Sequence, residues 1–166
     1  IAVIPVETPS ILDGSDEAAI RHNVNKDRVY FNGLNGDIEG YIDLLTGKVT
    51  GTTIRVAFRF DALIRVIYSL WLVKSGGFLL HASGVQDNDG AYVFFGVSGS
   101  GKTTVARLSE DKTILSDELI AIRSFNGSYQ AYGTTFMGEY ERGGINTKYN
   151  LRHIFLLKKD EVLVPL

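Results

Sequence analysis

The sequence predicts an α/β fold that is strand-rich, with a mixed sheet of β-hairpins and few helices laid around a phosphate-binding loop. Three observations predict it. Runs of Val, Ile, Tyr and Phe recur between short Asn/Asp/Gly segments. Helical periodicity is sustained only over Asp61–Ser75, with a second short helix expected over Lys102–Ser109. Between strand-like and helix-like residues stands Gly96-Val97-Ser98-Gly99-Ser100-Gly101-Lys102-Thr103, which reads G-x-x-x-x-G-K-T.

The elements follow in order. Ser15–His22 reads as a short helix capped by Ser15 or Asp16. Arg28–Phe31, Asp37–Leu44 and Thr53–Phe60 read as strands, the last because Ile54, Val56, Phe58 and Phe60 alternate with Arg55, Ala57 and Arg59. Asp61–Ser75 reads as a helix with Leu63, Val66, Ile67, Leu70 and Trp71 on one apolar stripe, Asp61 as its cap and Gly76-Gly77 as its stop. "FLLHASGV" and "AYVFFG" around "QDNDG" predict a hairpin whose second strand feeds the phosphate loop. "TILSDE" reads as a short buried strand ending in acids. "LIAIRSF" and "SYQAY" around Asn126-Gly127 predict a type I′ hairpin, and "HIFLLKK" and "EVLVPL" read as two further strands.

At 166 residues and 45% apolar content the chain reads as a single nucleotide-binding domain, residues 1–166, with a strand-rich part over 1–60 and a phosphate-loop core over 61–166. A net charge of −2 without like-charge runs gives no nucleic-acid surface. The absence of cysteine excludes disulfides, thiolate ligands and a Cys nucleophile, and fits a reducing, cytoplasmic compartment. The longest apolar-rich run, Ala62–Val73, contains Arg65 and is short of the ~20 residues that span a membrane, so no membrane partner is expected. The opening at Ile1 and the end at Leu166, after a strand-like run, suggest an excerpt of a longer chain.

The chemistry begins with the loop. Glycines at 96, 99 and 101 allow positive φ and close approach to an anion, so that successive N–H groups form a nest. The following helix adds its positive end. Gly96, Ser98, Gly99, Ser100, Gly101, Lys102, Thr103 and Thr104 are the expected nucleotide contacts, with Lys102 on the β/γ-phosphates and the Thr103 hydroxyl toward Mg²⁺. A Mg²⁺-nucleotide also needs an acid at the end of a neighbouring strand. Asp117 is that candidate, with Glu118 as its substitute, while Ser116-Asp117-Glu118 is equally ordinary turn-capping chemistry. His81 stands among leucines on the strand beside the one delivering the loop, open to a core or a catalytic reading. His22 and His153 are read as structural or surface residues. "TTFMGEYERGGINTKYNLRH" lacks a period, and either lies solvated or brings Glu139, Glu141, Arg142 or Lys148 to the site.

"LLHASGV…AYVFFGVSGSGKTTVARL…ILSDELIAIR" resembles the catalytic domain of HPr kinase/phosphorylase, within the phosphoenolpyruvate-carboxykinase-like superfamily of phosphate-loop proteins. The resemblance covers residues 78–123 well, 134–157 loosely and the first 60 hardly at all. It implies an HPr kinase C-terminal-domain-like fold and a kinase that uses ATP and Mg²⁺ to phosphorylate a hydroxyl, a protein serine in HPr kinase itself. By motif it assigns His81 and Asp117 to proton transfer, and Thr103 and Glu139 to the metal; beside it the residue reading keeps Asp117 near Mg²⁺ or the attacking hydroxyl, with Glu118 as its substitute. It also implies a homo-oligomer. HPr kinase carries two consecutive Asp where this chain has Ser116-Asp117, and "LLHASGV" and "LSDE" fit the HPr kinase-related proteins better. The acceptor, a protein serine or a small molecule, is not readable. The contrasting expectation is a nucleotide-binding regulatory or scaffold module with little turnover. A carboxykinase of a small acid is weaker, because no clear set of acid-clamping arginines is seen.

Overall fold

The computed structural model describes residues 20–25, 27–33, 38–53, 57–140 and 144–159. The chain forms two compact units, Ile1–Trp71 and Leu72–Leu166.

The first unit holds four strands in sequence order, β1 (Ile20–Asn25), β2 (Arg28–Gly33), β3 (Ile38–Asp43) and β4 (Val49–Thr53), all antiparallel. Helix α1 (Ala57–Lys74) follows. Alternation places Val29 and Phe31 of β2 and Ile38 and Ile42 of β3 in the interior. Leu63 of α1 completes a cluster with Phe31 and Ile38, and Ile67, one turn on, packs against it. Trp71 leans on Gly47, where an added Cβ would lie 2.3 Å from the indole ring. Gly47 also has φ +72°, so the β3–β4 turn needs glycine twice over. The Asp43 carboxylate organises that turn. It accepts the Thr46 N–H (2.9 Å), the Thr46 hydroxyl (3.0 Å) and the Leu45 N–H (3.1 Å).

Three expectations for this part are corrected. Ala57–Phe60 is the first turn of α1, not the end of a strand, and residues 54–56 lie outside the described residues. Alternation over so few residues cannot distinguish a strand from the first turn of a helix, and tertiary packing decides. Asp61 therefore sits inside α1 and caps nothing; its Oδ2 is 2.6 Å from Arg65 Nε, one turn on. Ile20–His22 belong to β1, not to a helix, and residues 15–19 lie outside the described residues.

The second unit is a six-stranded mixed sheet with one short helix: β5 (Gly77–Asp87), β6 (Gly90–Phe95), α2 (Lys102–Leu108), β7 (Thr113–Ser116), β8 (Leu119–Phe125), β9 (Ser128–Tyr132) and β10 (Lys148–Leu156). Gly76, at φ +73°, stops α1 as expected. The β5–β6 and β8–β9 hairpins form as predicted, and Asn126 (φ 49°) with Gly127 (φ 77°) supplies the two left-handed residues of a type I′ turn. Residues 161–166, expected as a strand, lie outside the described residues.

The ladders close on themselves. β5 pairs β6, β6 pairs β10, β10 pairs β9, β9 pairs β8, and β8 returns to the first half of β5. β7 adds to the second half of β5. Every pair in this sheet is antiparallel except β6–β10. The ring encloses Ala82, Ala91, Val93, Ile120, Ile122 and Ala131, joined by Leu115 of β7 and flanked by Leu80, Phe95, Tyr149 and Leu151. The small residues let β5 pass close to β8. A Cβ on Gly84 would lie 2.5 Å from Ile120 Cδ1.

Two outcomes follow. Ile120→Ala removes a fully buried side chain from the ring and is expected to lower stability by about 2–5 kcal/mol in urea unfolding. The second concerns Asp43, whose carboxyl is held below its ordinary pKa, first by the Thr46 N–H and then by the Thr46 hydroxyl. A depressed folded-state pKa makes the contribution of this turn full above the unfolded carboxylate value and lost as pH falls through the folded one. Urea midpoints measured against pH should therefore fall less steeply below about pH 4 in Asp43→Ala than in the parent.

Candidate phosphate-loop site

Strand pairing gathers the site. β6 and β7 both run antiparallel to β5, so they are parallel to each other, and β10 is parallel to β6. Phe95, the last residue of β6, lies opposite Ala82, and Ser116, the last of β7, lies opposite Gly84. Leu156, the last of β10, lies opposite Phe95. The carboxyl ends of these strands thus meet around His81–Gly84.

The loop Gly96–Gly101 leaves β6 there. Gly99 (φ +75°) and Gly101 (φ +103°) take the left-handed backbone expected of them, with open space where a Cβ would point. Gly96 does not, which corrects its expected positive φ. Its lack of a side chain serves close approach instead, since a Cβ would lie 2.6 Å from both Leu157 O and Ser100 Oγ. Lys102 is only 7% exposed, and its Nζ donates to Gly96 O (3.0 Å) and Val97 O (3.1 Å), which fixes the ammonium over the loop. Ser100 Oγ is buried without a hydrogen-bond partner. Ser98 and Thr104 are exposed and Thr103 is half-buried at the start of α2. Left-handed glycines, a fixed cation and an unsatisfied hydroxyl form a donor set that suits an anion. Ser83, which the sequence reading missed, locks this end of α2 to β5, its Oγ donating to Lys102 O at 2.5 Å. A lone serine in an apolar run is its only signal.

Across β5 lie the acids. Asp117 is 2% exposed, and both its oxygens are engaged: Oδ1 accepts Gly138 N–H (3.0 Å) and Oδ2 accepts Tyr140 N–H (2.9 Å). Each oxygen keeps a second lone-pair site. Ser116 Oγ donates to Phe136 O (3.1 Å) and accepts Glu118 N–H (3.1 Å) and Leu119 N–H (3.3 Å). Ser116-Asp117 therefore pins the segment 136–140. Glu139 lies between the two N–H donors, so its backbone is fixed beside Asp117 while its side chain is exposed. The same segment reaches α2, because Arg107 donates to Glu139 O (3.4 Å) and the Tyr140 hydroxyl donates to Glu110 Oε1 (3.3 Å). Arg107, Glu110 and Tyr140 carried no sequence signal.

His81 and Glu118 come together, Nε2 to Oε2 3.5 Å, with the imidazole 59% exposed. His81 is thus not a core residue. Among the described residues no three His, Asp or Glu side chains gather to hold a metal. A Mg²⁺ bound with phosphate oxygens needs fewer protein ligands than that. Lys148 is not part of the irregular segment: it opens β10, its Nζ 5.4 Å from the Phe125 ring centroid and 5.8 Å from that of Tyr132. Glu141 and Arg142 lie outside the described residues. Among the described residues no helix is long and apolar enough to cross a membrane.

Comparison of the chain with family models, curated proteins and solved structures found no match.

Asp117→Ala removes a buried carboxylate that holds two backbone N–H groups. Charge-assisted bonds contribute about 1.5–3 kcal/mol each, so the expected outcome is a stability loss of about 3 kcal/mol or more and faster hydrogen exchange at the Gly138 and Tyr140 amides. Unchanged exchange at both would refute the pinning role.

Proposed function

We propose that the chain binds a nucleoside triphosphate on Gly96–Thr104 and, as a phosphotransferase of HPr kinase-related type and fold, transfers the γ-phosphoryl of ATP to a hydroxyl, with a protein serine as the first acceptor to test. One observation carries this reading. The phosphate loop and the His81–Glu118 pair flank the same short stretch of β5.

Phosphoryl transfer needs positioning and charge stabilisation more than covalent chemistry. Lys102 and the loop N–H groups supply a fixed positive cradle for the phosphates. Mg²⁺, held by Thr103 and Asp117 together with phosphate oxygens, would neutralise charge on the β- and γ-phosphates. His81 is the better proton acceptor for the attacking hydroxyl, since Asp117 is buried and already accepts two N–H bonds. A neutral imidazole that presents Nε2–H to Glu118 keeps Nδ1 free to accept a proton, so Glu118 orients the ring. Asp117 then fixes the segment bearing Glu139.

A second reading, nucleotide binding with little turnover, is favoured by the commitment of Ser116 and Asp117 to structural hydrogen bonds. Incubation with γ-labelled ATP, Mg²⁺ and a lysate of the source, alongside calorimetry, separates the two. The kinase reading expects a labelled acceptor. It also expects loss of binding in Lys102→Ala, and in His81→Ala unchanged binding with transfer slowed about 10²–10⁴-fold. Binding that depends on Lys102, with neither labelled acceptor nor released phosphate, would leave only the passive module.

A further inference from the structure

The outer face of β6 and β10 carries four rings in a row. His153 lies opposite Tyr92 and Phe155 opposite Phe94. The centroids are 5.8 Å apart for Tyr92–His153, 5.1 Å for Phe94–Phe155 and 6.5 Å for Tyr92–Phe155, with planes within 24°, 16° and 15° of parallel. These rings are outside the core that the ring of strands encloses. Phe155 is 42% exposed and His153 is also exposed. Cross-strand stacking stabilises a sheet, but a row of partly exposed rings, with His153 and Phe155 tilted 37° to each other, also marks a binding surface.

The row leads to the phosphate loop on the face where that loop is built. Ser83 lies opposite Phe94, so their side chains share a face, and Ser83 bonds to the first residue of α2. α2 packs over β5 and β6. Phe94 precedes Gly96 by two residues, about 7 Å of strand. On the neighbouring strand, Leu157, two residues after Phe155, donates its N–H to Phe95 O (2.7 Å) and lays its carbonyl against Gly96.

From this continuity we propose that Tyr92, Phe94, His153 and Phe155 form the nucleobase shelf of the nucleotide site. The base stacks on Phe155, with His153 against its edge, while the phosphates occupy the loop. The inference rests on the phosphate-binding reading and names the part of the ligand that reading leaves unplaced. The Tyr92 hydroxyl is already donated to Asp89 Oδ1 (2.7 Å), so the shelf offers ring faces more than a hydrogen-bonding pattern for a base edge. It therefore selects a broad π-face, a purine, and discriminates little between adenine and guanine.

Calorimetry on the full chain with ATP, GTP, CTP and inorganic tripolyphosphate tests this. ATP and GTP should bind alike, and more tightly than CTP or tripolyphosphate. Phe155→Ala should weaken ATP and GTP about tenfold while leaving tripolyphosphate unchanged. Lys102→Ala should weaken all four. Phe155→Trp, which keeps a stacking surface if the alanine variant fails to fold, should show emission quenched by ATP and not by tripolyphosphate. Tripolyphosphate binding as tightly as ATP overturns the shelf and leaves the phosphate loop standing. So does equal weakening of ATP and tripolyphosphate by Phe155→Ala, or an altered oligomeric state with unaltered ATP binding. Failure of the parent protein to bind any of the four overturns the phosphate reading and the shelf with it.

Discussion

Hydrogen bonding along both edges of β5 is the constraint from which the candidate site follows. A strand with one free edge would leave its neighbours to find their own register. Here β6 takes one edge, while β8 and β7 share the other in succession. Alternation on β5 then divides the work between its faces. Leu80 and Ala82 turn into the enclosed core, and Ser83 turns out to meet α2. Since a one-residue slip would exchange these faces, packing of the core also fixes the outer chemistry. The loop is held in place by the same pairing that buries Val93 and Ile120.

The hand-over from β7 to β8 shows the cost of this arrangement. At Ser116–Glu118 the chain leaves one ladder with β5 and begins another, which frees backbone groups in a buried place. Ser116 Oγ takes the Glu118 and Leu119 N–H groups, and Glu118 O takes the Ala82 N–H. Buried polar groups must be paired, and a hydroxyl that both donates and accepts does this in little space. An aspartate at 116 would offer no proton to Phe136 O unless it were itself protonated. Serine at 116 thus has a local reason: it acts as a structural knot, and the adjacent Asp117 carboxylate is left to hold the segment that follows.

What the sequence made legible was local. The Asn126-Gly127 turn, the Gly76 stop, the β5–β6 hairpin and the loop each rest on residues a few positions apart, where backbone preference decides. The strand-rich α/β class follows from those signals. Closure of the ring does not, because the pairing of β6 with β10 joins residues about sixty positions apart and no local preference encodes it. The start of α1 was hidden for a related reason. Ala57–Phe60 alternates well enough for a strand, and it is helical as the first turn of an element that runs on to Lys74 and packs Leu63 on Phe31 and Ile38. At the site, the left-handed glycines at 99 and 101 and the start of α2 at Lys102 were legible through spacing. Ser83, Arg107 and Tyr140 were not, since each matters through a contact with a distant backbone or side chain.

Asp117 joins these levels. A buried carboxylate is tolerated only where donors surround it, and here two donors come from one short segment. That segment is also held by Arg107 and by Glu110, which belong to α2 and to the turn after it. Residues 138–140 therefore bridge the acid at the end of β7 and the helix that leaves the phosphate loop. Displacement of either end strains bonds at the other, because the intervening backbone is only three residues long. A group tied in this way contributes through geometry whatever else it does: it places Glu139 and limits how far α2 can move. The acids thus divide by geometry: Glu118 stands beside an imidazole that is open to solvent, while the buried Asp117 sets the frame of the segment that follows.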